Sequence, residues 1–167
     1  LEQNQEILSK IDSRVRLVVV DNLVNKIKPL KDLLALFEIK KIIKQISPDV
    51  VHTHNSKAGV IGRFAAWLSG TKLIVHTIHS LPFISANFFT KTVYLVIEKI
   101  TSFVTDKFIN VSNGTMEIYL RYKIGRSSNH QVIFSAFDVD KFKNANKHQA
   151  LNDLNLKENL NSSKVIV

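Results

Sequence analysis

Four of the six histidines in this 167-residue chain fall in two short segments, Asp49-Val-Val-His-Thr-His-Asn-Ser-Lys-Ala-Gly-Val-Ile-Gly-Arg63 and Val75-His-Thr-Ile-His79. Imidazole is the side chain that exchanges protons near neutrality and also ligates metals, so such clustering asks for a chemical account. His52 and His54 stand two apart at the end of an apolar run, which puts both on one side of a strand. A His-x-His pair can hold zinc, yet a site needs a third ligand, and neither cysteine nor a carboxylate cluster stands nearby. No metal is therefore expected. His79 closes the second run, where it could act as a general base, donate to a sugar hydroxyl or phosphate, or serve a structural role at a strand end.

Asn55, Ser56 and Lys57 then open a helical pattern. The free N–H groups and dipole of a helix start favour an anion there. Ordinary capping by Asn55 or Ser56 explains the same residues equally well. Gly59 and Gly62 allow that helix to approach a sheet or ligand closely. The stretch Leu81-Pro-Phe-Ile-Ser-Ala-Asn-Phe-Phe89 is apolar and aromatic yet carries loop signals, as a lid packed on the core or a patch touching lipid would. There is no Walker lysine loop, no G-x-G-x-x-G and no G-x-S-x-G elbow.

These loops need elements to hold them. Apolar, β-branched runs recur at Val15–Val20, Val50–Val51, Leu73–Val75, Phe108–Val111 and Gln131–Phe134, the early ones nearly continuous, as in strands buried on both faces. Helical patterns lie between them. Leu30, Leu33, Leu34, Phe37, Ile39, Ile42, Ile43 and Ile46 form a broad stripe ended by Pro48. Val60 to Leu68 stops at Gly70, Phe89 to Ile100 makes a third helix, and Met116 to Tyr122 a shorter fourth. This alternation predicts an α/β fold, a doubly wound parallel sheet with right-handed crossovers and helices on both faces. The first 14 residues read as a helix without its preceding strand, and Lys164-Val-Ile-Val167 as the first strand of another unit. The lack of an initiator methionine fits a chain that begins inside a longer reading frame.

With 45% hydrophobic and 22% charged residues the chain is globular, and without cysteine it has neither disulfides nor thiolate metal sites. No apolar run approaches the roughly 20 residues of a membrane span, and the polar start is unlike a signal peptide. A net charge of +9 favours anionic ligands or membrane surfaces. Lys26, Lys28, Lys31, Lys40, Lys41 and Lys44 cluster without interleaved aromatics, so nucleic acid is not expected as a partner and a solvated helix face or membrane contact is.

On these segments the chain resembles the N-terminal domain of family 4 glycosyltransferases, the retaining group built on the GT-B pair of Rossmann-like domains. The likeness rests on Pro29-Leu-Lys-Asp-Leu-Leu-Ala-Leu36, on Pro48 through Ala66 with its His-Thr-His-x-x-Lys-x-Gly-x-x-Gly-Arg core, and on Val75–His79. Thr105-Asp106, Val111-Ser112 and Asp138-Val-Asp-Lys-Phe142 support it, so it covers roughly residues 15 to 142. It divides the chain into an acceptor-binding domain over 1–142, lacking its first strand, and a linker and start of a donor-binding domain over 143–167.

The resemblance implies transfer of a sugar from a nucleotide-sugar donor to a polysaccharide or lipid-linked acceptor in cell-surface glycan synthesis. It places His54, Asn55, Ser56, Lys57, Gly59 and Ser80 on the acceptor side and His79 at the reacting centre. Retention in such enzymes is ascribed to front-face displacement assisted by the donor phosphate. His79 would then work by positioning and charge stabilisation. No cofactor is implied, and the location is cytoplasmic, peripheral on the inner face of the plasma membrane. Ser80 stands where glycine is common, and Phe134-Ser-Ala-Phe-Asp138 replaces the usual proline-asparagine-glycine turn. The donor-binding domain falls outside this sequence, so the isolated chain is expected to be inactive. The alternatives are a non-catalytic module that binds an anionic ligand or membrane surface, and a GT-B epimerase. The latter would need acid and base carboxylates, whereas Asp49 opens its strand at the wrong end.

Overall fold

The computed structural model describes residues 11–24 and 26–136. Among these residues the first helix, α1 (Pro29–Ile46), begins on a proline whose missing N–H costs nothing at that position. Asp32 sits in the first turn and Lys44 in the last, each matching the helix dipole. Ser47 turns left-handed and donates its N–H to Ile43 O, and Pro48 prevents continuation. Strand β1 (Val50–His54) leads directly into α2 (Ser56–Ser69), which stops at Gly70. Strand β2 (Leu73–Ile78), helix α3 (Phe88–Ser102), strand β3 (Lys107–Asn110), helix α4 (Asn113–Arg121) and strand β4 (His130–Val132) follow. Asn87 caps α3 by accepting the Thr90 N–H, and Ser112 and Thr115 form a reciprocal cap on α4.

The four strands make one parallel sheet in the order β1-β2-β3-β4. This is the parallel α/β, Rossmann-like arrangement predicted from the alternation of runs. Two apolar clusters cover it, but among the described residues both lie on the face of Val51, Ile74, Ile78 and Phe108, so the expected helices on both faces are not seen there. Ile43 and Ile39 of α1 meet Ala65 and Ala66 of α2 over Val51 and Ile74. Ile78, Phe83, Phe108, Tyr119 and Ile124 form the second cluster, with Tyr94 and Leu95 of α3 packed against it. The compact α/β unit runs to Phe134. The boundary expected after Phe142, the polar linker and the closing strand at 164–167 lie outside the described residues.

Several expectations need correcting. Val15–Val20 is not a strand: it runs without a ladder partner among the described residues, and Leu17 and Val19 are exposed. An apolar run becomes a strand only where a neighbour takes its backbone N–H and C=O groups, and none of the described strands borders this one. Residues 11–14 are not helical; Asp12 and Arg14 pair within a local turn, and the rest of that expected helix lies outside the described residues. β1 is not buried on both sides, for Val50, His52 and His54 are exposed while Thr53 is buried. Only part of the α1 stripe enters the core, because Leu30, Leu33, Leu34 and Phe37 face outward.

Candidate functional site

Alternation along β1 and β2 sends their side chains to opposite faces. Thr53 pairs in register with His76, and His54 with Thr77, so neighbours at one level share a face. On the open face His52 Nε2 lies 2.7 Å from Thr77 Oγ1, and His54 Nδ1 lies 2.9 Å from His79 Nε2, just past the end of β2. The rings of His52 and His54 are 4.3 Å apart between centroids, and those of His54 and His79 are 5.2 Å apart. The expectation that His52 and His54 point to one side holds, and the structure adds His79 to them. Partial burial, then the neighbouring charges of His52 and His79, hold the His54 pKa below its ordinary value.

Ser80, Asn55 and Ser56 stand beside His79 around a hollow of about 10 Å³ that His76, Ile78 and Tyr119 also line. That space suits no more than a water molecule. Asn55 takes φ 62°, a left-handed conformation uncommon for a non-glycine residue, and its side chain makes no capping bond. The first N–H groups of α2 are thus left without a side-chain cap, so the capping alternative is not what this turn adopts. A larger hollow of about 400 Å³ sits near Asp106, Lys123 and Arg126, before β3 and β4 begin. Open α/β sheets bind ligands at the other, carboxyl end of their strands, where the histidines are.

Lys57 reaches sideways. Its ammonium lies 2.6 Å from Val24 O, 2.5 Å from Lys26 O and 2.6 Å from Asp32 Oδ1. Two backbone carbonyls accept from this ammonium and the Asp32 carboxylate pairs with its charge, so the side chain ties the segment before α1, and α1 itself, to the start of α2. Gly59 lies on the other face. A Cβ there would sit 2.4 Å from His76 Cε1, and one on Gly62 would sit 2.9 Å from Thr53 Cγ2, so both glycines let α2 close down on the sheet.

That covered face holds the other histidine of the Val75–His79 segment, His76. Thr53 Oγ1 donates to Val75 O and lies 2.9 Å from His76 Nδ1, which makes it the acceptor of an Nδ1–H. Burial first, then the Arg63 guanidinium, push His76 down to about 3, so its ring stays neutral across the physiological range. Arg63 is itself fully buried; its Nη2 donates to both carboxylate oxygens of Glu98 of α3 at 3.0 and 3.2 Å, its Nε to Gly59 O and its Nη1 to Thr105 Oγ1. Glu98 and Tyr119 escaped the sequence reading. A lone acid within the apolar Phe88–Ser102 pattern was the available signal for Glu98. Burial, then Glu98, hold the Tyr119 phenol well above its ordinary range. Only part of the aromatic loop packs on the core. Phe83 is buried against Tyr119 and Tyr122, while Ile84, Phe88 and Phe89 are exposed.

A parallel α/β sheet with polar, exposed side chains gathered at its strand ends defines a Rossmann-like ligand-binding domain. The chain belongs to Glycosyltransferase Family 4, whose family model matches residues 2–141. It is 33% identical over 151 residues to the Escherichia coli UDP-Gal:alpha-D-GlcNAc-diphosphoundecaprenol alpha-1,3-galactosyltransferase, covering 90% of this chain and 38% of that protein. It is 29% identical to the Staphylococcus aureus capsular polysaccharide biosynthesis glycosyltransferase CapM, covering 80% of this chain and 40% of that protein. A shorter match, 44% identical over 50 residues, joins it to a Colwellia psychrerythraea N-acetylglucosamine transferase acting on a pyrophosphoryl-undecaprenol. The chain thus spans about two fifths of the first two relatives' length.

Proposed function

We propose that this chain supplies the acceptor wall of a retaining glycosyltransferase that moves a sugar from a nucleotide-sugar donor to a lipid-linked or polysaccharide acceptor. One observation carries the reading: His54 and His79 meet at the carboxyl ends of β1 and β2 beside an uncapped helix start, in a chain of this family. His79 is assigned to the reacting centre, where it positions the transferred sugar and stabilises developing charge without forming a covalent bond. His54, Asn55, Ser56 and Ser80 take the acceptor. The free N–H groups of α2 suit an acceptor diphosphate of the kind in the Escherichia coli relative's name. Lys57 and Gly59 serve this wall by holding α2 in place. No metal or other cofactor is assigned.

The proposed workplace is the inner face of the plasma membrane. No helix among the described residues is long and apolar enough to cross a membrane. Support for surface attachment comes from α3, whose Phe88, Phe89, Val93, Val96 and Ile100 are exposed along one side with Phe103 just beyond, and from the net charge of +9. The test is a transfer assay on the complete transferase containing this chain, with a polyprenyl-diphosphate-linked sugar in vesicles. His79→Ala should lower kcat by about 100-fold or more, and anionic vesicles should support faster transfer than neutral ones. A His79→Ala enzyme with the parent's kcat would overturn the assignment, as would turnover by the 167-residue chain alone.

A further inference from the structure

The contact between His54 Nδ1 and His79 Nε2, at 2.9 Å, has a consequence for protons. A bond between two imidazole nitrogens needs a hydrogen on one and a lone pair on the other. Only two neutral arrangements satisfy it. If His54 donates, both rings carry their proton on Nδ1. If His79 donates, both carry it on Nε2, the form neutral histidine intrinsically prefers. Among the described residues neither ring has another hydrogen-bond partner that would reverse this preference. The titratable groups around the pair are themselves imidazoles: His52 beside His54 on β1, and His76 on the covered face of β2.

We propose that His54 is a positioning residue for His79: its Nδ1 accepts the Nε2–H of His79 and locks that ring in one tautomer. The two nitrogens left over are then a matched set, His54 Nε2–H as donor and His79 Nδ1 as acceptor, on rings that are both exposed. Adjacent hydroxyls of a sugar fit such a set, one accepting and the other donating. The substrate class is therefore a glycosyl acceptor or donor held by a vicinal hydroxyl pair, and this part rests on the glycosyl-transfer reading above. The low pKa of His54 agrees with an accepting, neutral ring.

Long-range proton–nitrogen NMR of the nitrogen-15-labelled 167-residue chain, slightly above neutral pH, reads the lock directly. The expected result is a protonated Nε2 and bare Nδ1 on His79, with a scalar coupling across the bond to His54 Nδ1. His54→Ala should turn His79 from one dominant tautomer into a mixture. His54→Asn, whose carbonyl can take the place of Nδ1, should restore the single form and, in the complete transferase, most of the kcat lost in His54→Ala. A wild-type His79 that is already a mixture, or that carries its proton on Nδ1, would overturn the proposal. If His54→Ala does not fold, the wild-type coupling alone decides. The lock is measured without turnover, so it can stand while the transfer reading fails, and the reverse.

Discussion

The two faces of the β1–β2 pair put the same residue type to opposite uses. On the side facing α2, His76 is buried, neutral and fixed between Thr53 and Gly59, with the Arg63–Glu98 pair behind it. On the other side, His52, His54 and His79 are exposed in a row along the strand ends, His52 bonded to Thr77 and His54 to His79. A step of one residue along a strand separates the two outcomes, because alternate side chains meet either a helix or solvent. The long His-Thr-His-x-x-Lys-x-Gly-x-x-Gly-Arg stretch is thus two devices in one: its histidines face the open side, while its two glycines, Gly59 and Gly62, and its arginine build the helix–sheet joint.

The sharpest way to break this division is to cut the joint. Replacing Glu98 with Ala leaves the Arg63 guanidinium fully buried without its counter-charge. The expected loss is about 3–5 kcal/mol in urea-monitored unfolding. Changing both residues together to Met should recover most of that loss, since a well-packed apolar pair often matches a buried ion pair. A cost below about 1 kcal/mol for Glu98→Ala would mean that the covered face does not depend on this pair.

Why the sequence disclosed some of this and not the rest follows from range. The helices and four of the five expected strands were legible, since periodicity and stop signals such as Pro48 and Gly70 are local. Val15–Val20 failed because strand formation depends on a neighbour that no local pattern names. His52 and His54 were rightly placed on one side by a spacing of two. Their meeting with His79 depended on the parallel register, 25 residues away in sequence. Lys57 was expected on the acceptor side and Arg63 only as the end of a motif, yet their charge partners stand 25 and 35 residues away, at Asp32 and Glu98. No spacing rule reaches that far.

A middle-sized test concerns acid. Unfolded His76 takes its proton near the ordinary 6.5, whereas the folded ring takes it only at about 3. Between those values the unfolded state binds more protons, so stability must fall as pH falls, by at most about 1.4 kcal/mol per pH unit from this residue. By about pH 5 the loss should be roughly 2 kcal/mol. His54 and His130, both depressed by burial, add to it with the same sign. His76→Gln should flatten the slope in a pH series of urea unfolding midpoints. An unchanged slope would show that His76 is not the buried neutral ring that distinguishes the covered face.

The smallest effect is expected where the open face is probed for structure alone. His52 is exposed and makes one bond, to Thr77 Oγ1 at 2.7 Å. His52→Ala removes that bond and the contact with the His54 ring but leaves no buried charge, and loss of the exposed ring opens the Thr77 hydroxyl to water. The predicted cost is about 1 kcal/mol or less, the scale of a single neutral hydrogen bond. Thermal unfolding of His52→Ala beside Glu98→Ala makes the comparison on one preparation. A loss from His52→Ala equal to that from Glu98→Ala would erase the division between the faces. The row of imidazoles would then be part of the scaffold, and the ligand-facing role drawn from its exposure would have to move elsewhere along the strand ends.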